Sequence, residues 1–111
     1  MCVNKIPVII GSNVMAPMSL VFGITMRIPP MSSTKSITGH SLGAVSAQEA
    51  VFCLLMMENS FMAESANIEN LDEKAKDMPI LRKVEKKELN CVMSNSFGFG
   101  GTNSTLVFEK I

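Results

Sequence analysis

The sequence predicts an α/β fold: a buried helix packed with strands, ending in an antiparallel β pair. Three observations carry this. The stretch LGAVSAQEAVFCLLMMENS runs without proline through strong helix formers, and its apolar residues cover most of the helical circumference. CVMSNSF and STLVFEK have strand composition and flank the glycine-rich GFGGTN, the pattern of a hairpin. A hydrophobic content of 47% with no net charge over 111 residues suits one small globular domain or a piece of a larger one, not a disordered tail.

Residues 1–31 are apolar but hold no sustained period; strand-like VII and LVFGI pieces are interrupted by proline and glycine. Lys5 followed by PVIIGSNVMAPMSLVFGITM loosely resembles a signal peptide. Pro7, Gly11, Asn13 and Pro17 break the run, no A-x-A site follows, and the same breaks argue against a membrane-spanning helix. After Pro29-Pro30 the polar SSTKSITGHS reads as a loop, and the helix follows. A helix apolar nearly all round needs more neighbours than so short a chain easily provides. NIENLDEKAKDMPILRKVEKKELN is charged and punctuated and reads as surface connection, with a short turn of helix around Asp72 to Lys76 and a solvated run at residues 83–87.

Balanced charge and a pI near 6.6 give no sign of a nucleic-acid or membrane partner. Cys2, Cys53 and Cys91 are odd in number, widely spaced and without a C-x-x-C pair, so neither a disulfide framework nor a zinc site is expected, and a reducing cytoplasm is.

Four motifs compete for the chemistry. Gly39-His40-Ser41-Leu42-Gly43 fits G-x-S-x-G, but a serine elbow needs a strand before the glycine, a later histidine and an acidic partner, and the only histidine lies inside the motif. Ser41 is better read as a helix-starting hydroxyl. Ser32-Ser33-Thr34-Lys35 fits S-x-x-K without the S-D-N and K-T-G elements that accompany it in serine enzymes. Lys35 and His40 are either an exposed pair or a site in which a neutral imidazole at a helix start donates an N–H bond to a developing oxyanion. Glu49, inside the apolar helix, lies either on a narrow exposed stripe with Ser46 and Gln48 or buried, where it needs a partner or a cation. Cys53, mid-helix and with no second histidine to activate it, reads as a buried apolar residue. FGFGGTN is no phosphate loop, because no Lys-Ser or Lys-Thr follows and strand formers come next; it is a tight connection or a bulky apolar gate.

SSTKSITGHSLGAVSAQEAVFCLLMMENSF and MSNSFGFGGTNSTLVFEK together resemble the C-terminal part of β-ketoacyl-acyl-carrier-protein synthases, nearest the bacterial type I condensing enzymes. The likeness runs from about Val21-Phe22-Gly23 to the C-terminus. It implies the C-terminal portion of a thiolase-like fold, a homodimer, and decarboxylative Claisen condensation of an acyl thioester with malonyl-acyl-carrier protein in fatty-acid elongation. The partner it implies is acyl-carrier protein carrying acyl or malonyl groups, with no organic cofactor. On the matching motifs, Lys35 and His40 become catalytic residues, with His40 bonding the thioester oxygen and Lys35 ordering the site. Phe99, between Gly98 and Gly100, becomes the gate of the acyl pocket, and Glu49, Ser94 and Asn95 a structural monovalent-cation site.

The departures are specific. The family's nucleophilic cysteine and its H-G-T-x-T histidine have no match here, since none of the three cysteines takes that position and residues 1–20 do not read as that stretch. The expectation is an atypical segment at 1–20 and a partial synthase domain at 21–111. Such a chain is a truncated or frameshifted product or a fragment, inactive in isolation; the alternative is a non-catalytic piece that associates with a synthase chain.

Overall fold

A computed structural model describes residues 8–10 and 28–111 of the chain. Cys2, the LVFGI piece and most of the segment set apart at 1–20 lie outside the described residues.

The chain enters as strand β1 (Val8–Ile10) and resumes as β2 (Met31–Ser32). A single helical turn, α1 (Lys35–Thr38), follows, and a 3₁₀ turn at Leu42–Ala44 leads into α2 (Val45–Asn59). Strands β3 (Phe61–Met62) and β4 (Glu85–Lys86) bracket a 3₁₀ turn at Glu73–Ala75, and β5 (Cys91–Phe97) and β6 (Asn103–Glu109) close the chain. The mixed sheet runs β2-β1-β5-β6, with β1 parallel to both neighbours and β5 antiparallel to β6 in unbroken register from Cys91↔Glu109 to Phe97↔Asn103. The expected helix and terminal hairpin are both present. So is the short helical turn expected near Asp72, capped by the Asp72 carboxylate, which accepts from the Lys74 N–H at 2.8 Å.

Two stretches differ from expectation. SSTKSITGHS is not all loop: it opens in β2 and closes one turn in α1, where the Thr38 hydroxyl donates back to the Thr34 carbonyl. A single turn is too short to leave a 3.6-residue pattern. The connection after α2 is not wholly on the surface either. The Met31 N–H donates to the Pro79 carbonyl at 3.0 Å, the Leu81 N–H returns to Met31 at 2.9 Å, and Leu81 and Leu89 are buried. Residues 83–87 are exposed as expected.

α2 ends where Ser60 turns left-handed at φ 53°, its N–H closing on the Met56 carbonyl. The inner side of α2 meets β5, and Cys53, Met56, Met57, Met62, Leu81, Leu89 and Val92 form the core, with Phe52, Phe61, Ala63 and Phe108 packed against it. Three flexible methionines fill this small interior, each buried side chain contributing about 2 kcal/mol. Cys53 is a free thiol in that core. Cys91 takes part in a disulfide, against the expectation of none.

Candidate active site

The carboxylate of Glu49 is the most costly group in the interior. It is 1% exposed, so it lies on the buried side of α2 rather than on an exposed stripe. A buried charge must be paired, and Glu49 Oε1 is: it binds Lys35 Nζ, brought in from the first residue of α1. Glu49 Oε2 has no partner, and neither does the buried hydroxyl of Ser94. Strand alternation places Ser94 on the α2-facing side of β5 with Val92. Asn95 therefore points to the other face, where its Oδ1 accepts from the Thr105 hydroxyl at 2.8 Å. Of the three residues grouped for a cation, Glu49 and Ser94 each bury an unpartnered oxygen and both act on Cys53, while the Asn95 side chain lies on the other face. Two orphaned buried oxygens fit a small hard cation. Among the described residues no three His, Cys, Asp or Glu side chains cluster as metal ligands.

Cys53 sits one turn beyond Glu49. Burial pushes its thiol up from 9.0 to about 11; a weak contact with Ser94 opposes that and the Glu49 charge adds to it. That contact leaves the buried Ser94 oxygen without a hydrogen-bond partner. Cys53 is thus a protonated core residue and no nucleophile.

His40 stands in the exposed loop between α1 and the 3₁₀ turn, and its Nδ1 accepts the Leu42 N–H at 3.1 Å. A ring nitrogen that accepts carries no proton, so in the neutral imidazole Nε2 is the donor. Ser41 donates to Gln48 Oε1, and a helical turn rather than a strand precedes Gly39, so the serine-elbow geometry is absent.

The hairpin turn faces the same space. The Gly98 N–H closes on the Thr102 carbonyl at 2.7 Å, and a Cβ on Gly98 would stand 3.0 Å from that oxygen. Gly100 and Gly101 take φ 85° and 87°, which glycine adopts without steric cost. The turn holds Phe99 out at its tip, fully exposed.

These parts line one cleft of about 410 Å³. Its walls include Lys35, His40, Glu49, Gly98 and Phe99, while Gly100, Ser94 and Asn95 lie outside the lining. Ser96, Thr102 and Ser104 also line it, and sequence reasoning passed over them. The signal was available: alternation in CVMSNSF puts Ser96 on the face of Ser94, and Ser96 pairs with Ser104 across the hairpin. The cleft therefore offers an N–H donor, a buried ion pair, a row of hydroxyls and an aromatic flap.

Residues 18–69 match the family described as Beta-ketoacyl synthase, C-terminal domain. The 3-oxoacyl-[acyl-carrier-protein] synthase 1 of Escherichia coli K12 is 55% identical over 85 residues, which is 77% of this chain and 21% of the relative. A beta-ketoacyl synthase structure from Burkholderia phymatum superposes with TM-score 0.70 at 36% identity, covering 75% of this chain and 21% of its own. A chain of the complex titled "AntDE:AntF (apo): type II PKS acyl-carrier protein in complex with its ketosynthase bound to the hexaketide" superposes with TM-score 0.68 at 28% identity, over 75% of this chain and 20% of its own. The chain thus spans about a fifth of the length of the relatives it matches. On these matches the chain belongs to the β-ketoacyl synthase family and carries the C-terminal part of its thiolase-like fold.

Proposed function

We propose that this chain supplies the decarboxylation half of a β-ketoacyl-acyl-carrier-protein synthase site and needs a nucleophilic cysteine from elsewhere. The observation that carries the reading is the cleft in which His40, with Nε2 free to donate, meets the Lys35–Glu49 pair and the Phe99 turn.

Condensation requires malonyl-acyl-carrier protein to lose carbon dioxide, leaving an enolate whose carbon attacks the carbonyl of a cysteine-bound acyl thioester, forming the C–C bond as the C–S bond breaks and the cysteine thiolate leaves. The enolate's charge gathers on the thioester oxygen. A fixed N–H there, as His40 Nε2 provides, stabilises it more than the uncharged substrate, which is the condition for accelerating the step. Lys35 acts through Glu49: the pair neutralises the buried carboxylate and ties α1 to α2 beside the histidine. Phe99, unsupported at its turn, gates the acyl pocket. Glu49 and Ser94 would hold a structural monovalent cation through their unpartnered oxygens, which would balance charge without taking part in the chemistry.

The second half of the reaction has no candidate among the described residues. Cys53 is buried and protonated, and Cys91 is disulfide-bonded. The substrates are acyl- and malonyl-acyl-carrier protein, in keeping with a carrier-protein complex among the similar structures. The working assembly is a homodimer of complete synthase chains in the cytoplasm. Among the described residues no helix is long and apolar enough to cross a membrane.

Incubating the 111 residues with both carrier-protein substrates should give no acylated chain by mass and no condensed product. A chain acylated on cysteine that forms product, and loses it in His40→Ala, would overturn the proposal. A second reading rests on the half-exposed Val51, Leu54 and Leu55 of α2: a non-catalytic piece that binds a synthase chain through this face. It predicts association with such a chain in sedimentation even for the His40→Ala variant.

A further inference from the structure

The orientation of His40 depends on a loop with little of its own to hold it. Residues 39–43 are all exposed, and the Leu42 side chain is 77% exposed. Yet Leu42 holds a left-handed backbone, φ 51°, just after Gly39 at φ 71°. A branched, non-glycine residue keeps that conformation only when its surroundings over-determine it. What aims at the histidine is the peptide just before it: the Ser41 backbone, at φ −82° and ψ 32°, turns the Leu42 N–H onto His40 Nδ1 and so leaves the ring proton on Nε2.

Packing of Leu42 does not supply the constraint, and a Cβ on Gly43 would find nothing within 4 Å. The Ser41 side chain does supply one. Its hydroxyl donates to Gln48 Oε1, seven residues on and in the first turns of α2. Gln48 in turn is fixed from below, since Val45 and Glu49 on either side of it are buried against the sheet. The bond therefore spans the 3₁₀ turn and fastens the residue next to His40 to the part of α2 that is anchored.

We infer that the Ser41–Gln48 hydrogen bond is a clamp that holds the Ser41 backbone, keeps the Leu42 N–H aimed at His40 Nδ1 and thereby selects the Nε2–H tautomer of His40. Ser41 and Gln48 are positioning residues: neither touches the reacting atoms, and both act through the Leu42 backbone. The proposal rests on the reading of His40 as the oxyanion donor for its catalytic meaning, but the tautomer is a property of the chain that holds or fails without that reading.

The chain has a single histidine, so ¹⁵N-labelled protein gives one pair of imidazole nitrogens with no assignment ambiguity. Long-range ¹H–¹⁵N correlation spectra, recorded with the ring neutral, show which nitrogen is protonated. The unaltered chain should show Nε2–H predominating. Gln48→Leu and Ser41→Ala should each lower the Nε2–H to Nδ1–H ratio by about three- to ten-fold, the range expected for losing one ordinary hydrogen bond. Ser41→Thr, which keeps the hydroxyl, should restore it. Helical content by circular dichroism should be unchanged in all three, since both side chains are exposed. Tautomer ratios in Gln48→Leu and Ser41→Ala equal to that of the unaltered chain would overturn the clamp, as would Nδ1–H predominating in the unaltered chain. If His40 later proves dispensable for condensation while these ratios shift as stated, the functional reading fails and the clamp stands.

Discussion

On its inner side α2 sets Val45, Glu49, Cys53 and Met56 against the sheet and buries all four, whereas its outer side leaves Val51, Leu54 and Leu55 between 45% and 53% exposed. The two sides are similar in hydrophobicity and opposite in circumstance. The inner side even accepts a carboxylate, because Lys35 reaches it. The outer side carries mostly apolar groups between Gln48 and Glu58, with nothing among the described residues to cover them. A helix apolar all round is stable where both sides are packed; here the described residues pack only the inner one.

The contrast can be broken most forcefully on the inner side. Lys35→Met leaves the Glu49 carboxylate buried without its partner and should cost about 3–5 kcal/mol in urea unfolding, while Lys35→Met combined with Glu49→Leu should recover most of the loss. A single variant no worse than an outer-side change would erase the distinction.

The next effect comes from Cys53. Its folded-state value, about 11, lies above the 9.0 of the free thiol, so the folded chain holds the proton more tightly than the unfolded one. Its stabilisation is complete below pH 9 and disappears as pH rises through 11, a loss of roughly 2–3 kcal/mol. Unfolding midpoints across that window should fall less in Cys53→Ala than in the unaltered chain.

Smaller changes sharpen the comparison at the glycines. Gly98→Ala must push against the Thr102 carbonyl and should cost about 1–2 kcal/mol, whereas Gly43→Ala meets open space at the start of α2 and should be neutral or slightly stabilising. Thermal midpoints of the two variants would show the ordering. The least effect on stability belongs to the outer side: Leu54→Gln should shift unfolding by no more than about 0.5 kcal/mol. It should also reduce self-association in sedimentation velocity, since it removes exposed apolar surface.

Much of this was legible in the chain's letters because the relevant signals are local. The proline-free run of helix formers announced α2, and strand composition around three glycines announced the β5–β6 hairpin. Glu49 was legible as an anomaly, but its resolution was not: Lys35 lies fourteen residues earlier, across two turns, and no periodicity links them. β3 and β4, two residues each, fall below the length at which alternation can be seen, and their antiparallel pairing spans more than twenty residues of charged connection. The grouping of Glu49, Ser94 and Asn95 came from motif likeness alone. Alternation along β5 separates the last two side chains, which a strand reading of CVMSNSF already implied.

The central claim, that Lys35 and His40 form a working half of a condensing site, is tested most directly inside a complete synthase. The 85 matching residues of the Escherichia coli relative can be replaced by those of this chain, and the chimera assayed for condensation of acyl- and malonyl-acyl-carrier protein. The account predicts an active chimera that loses at least about a hundred-fold in kcat when His40→Ala removes the oxyanion donor. A chimera that condenses equally well with and without His40 would contradict it.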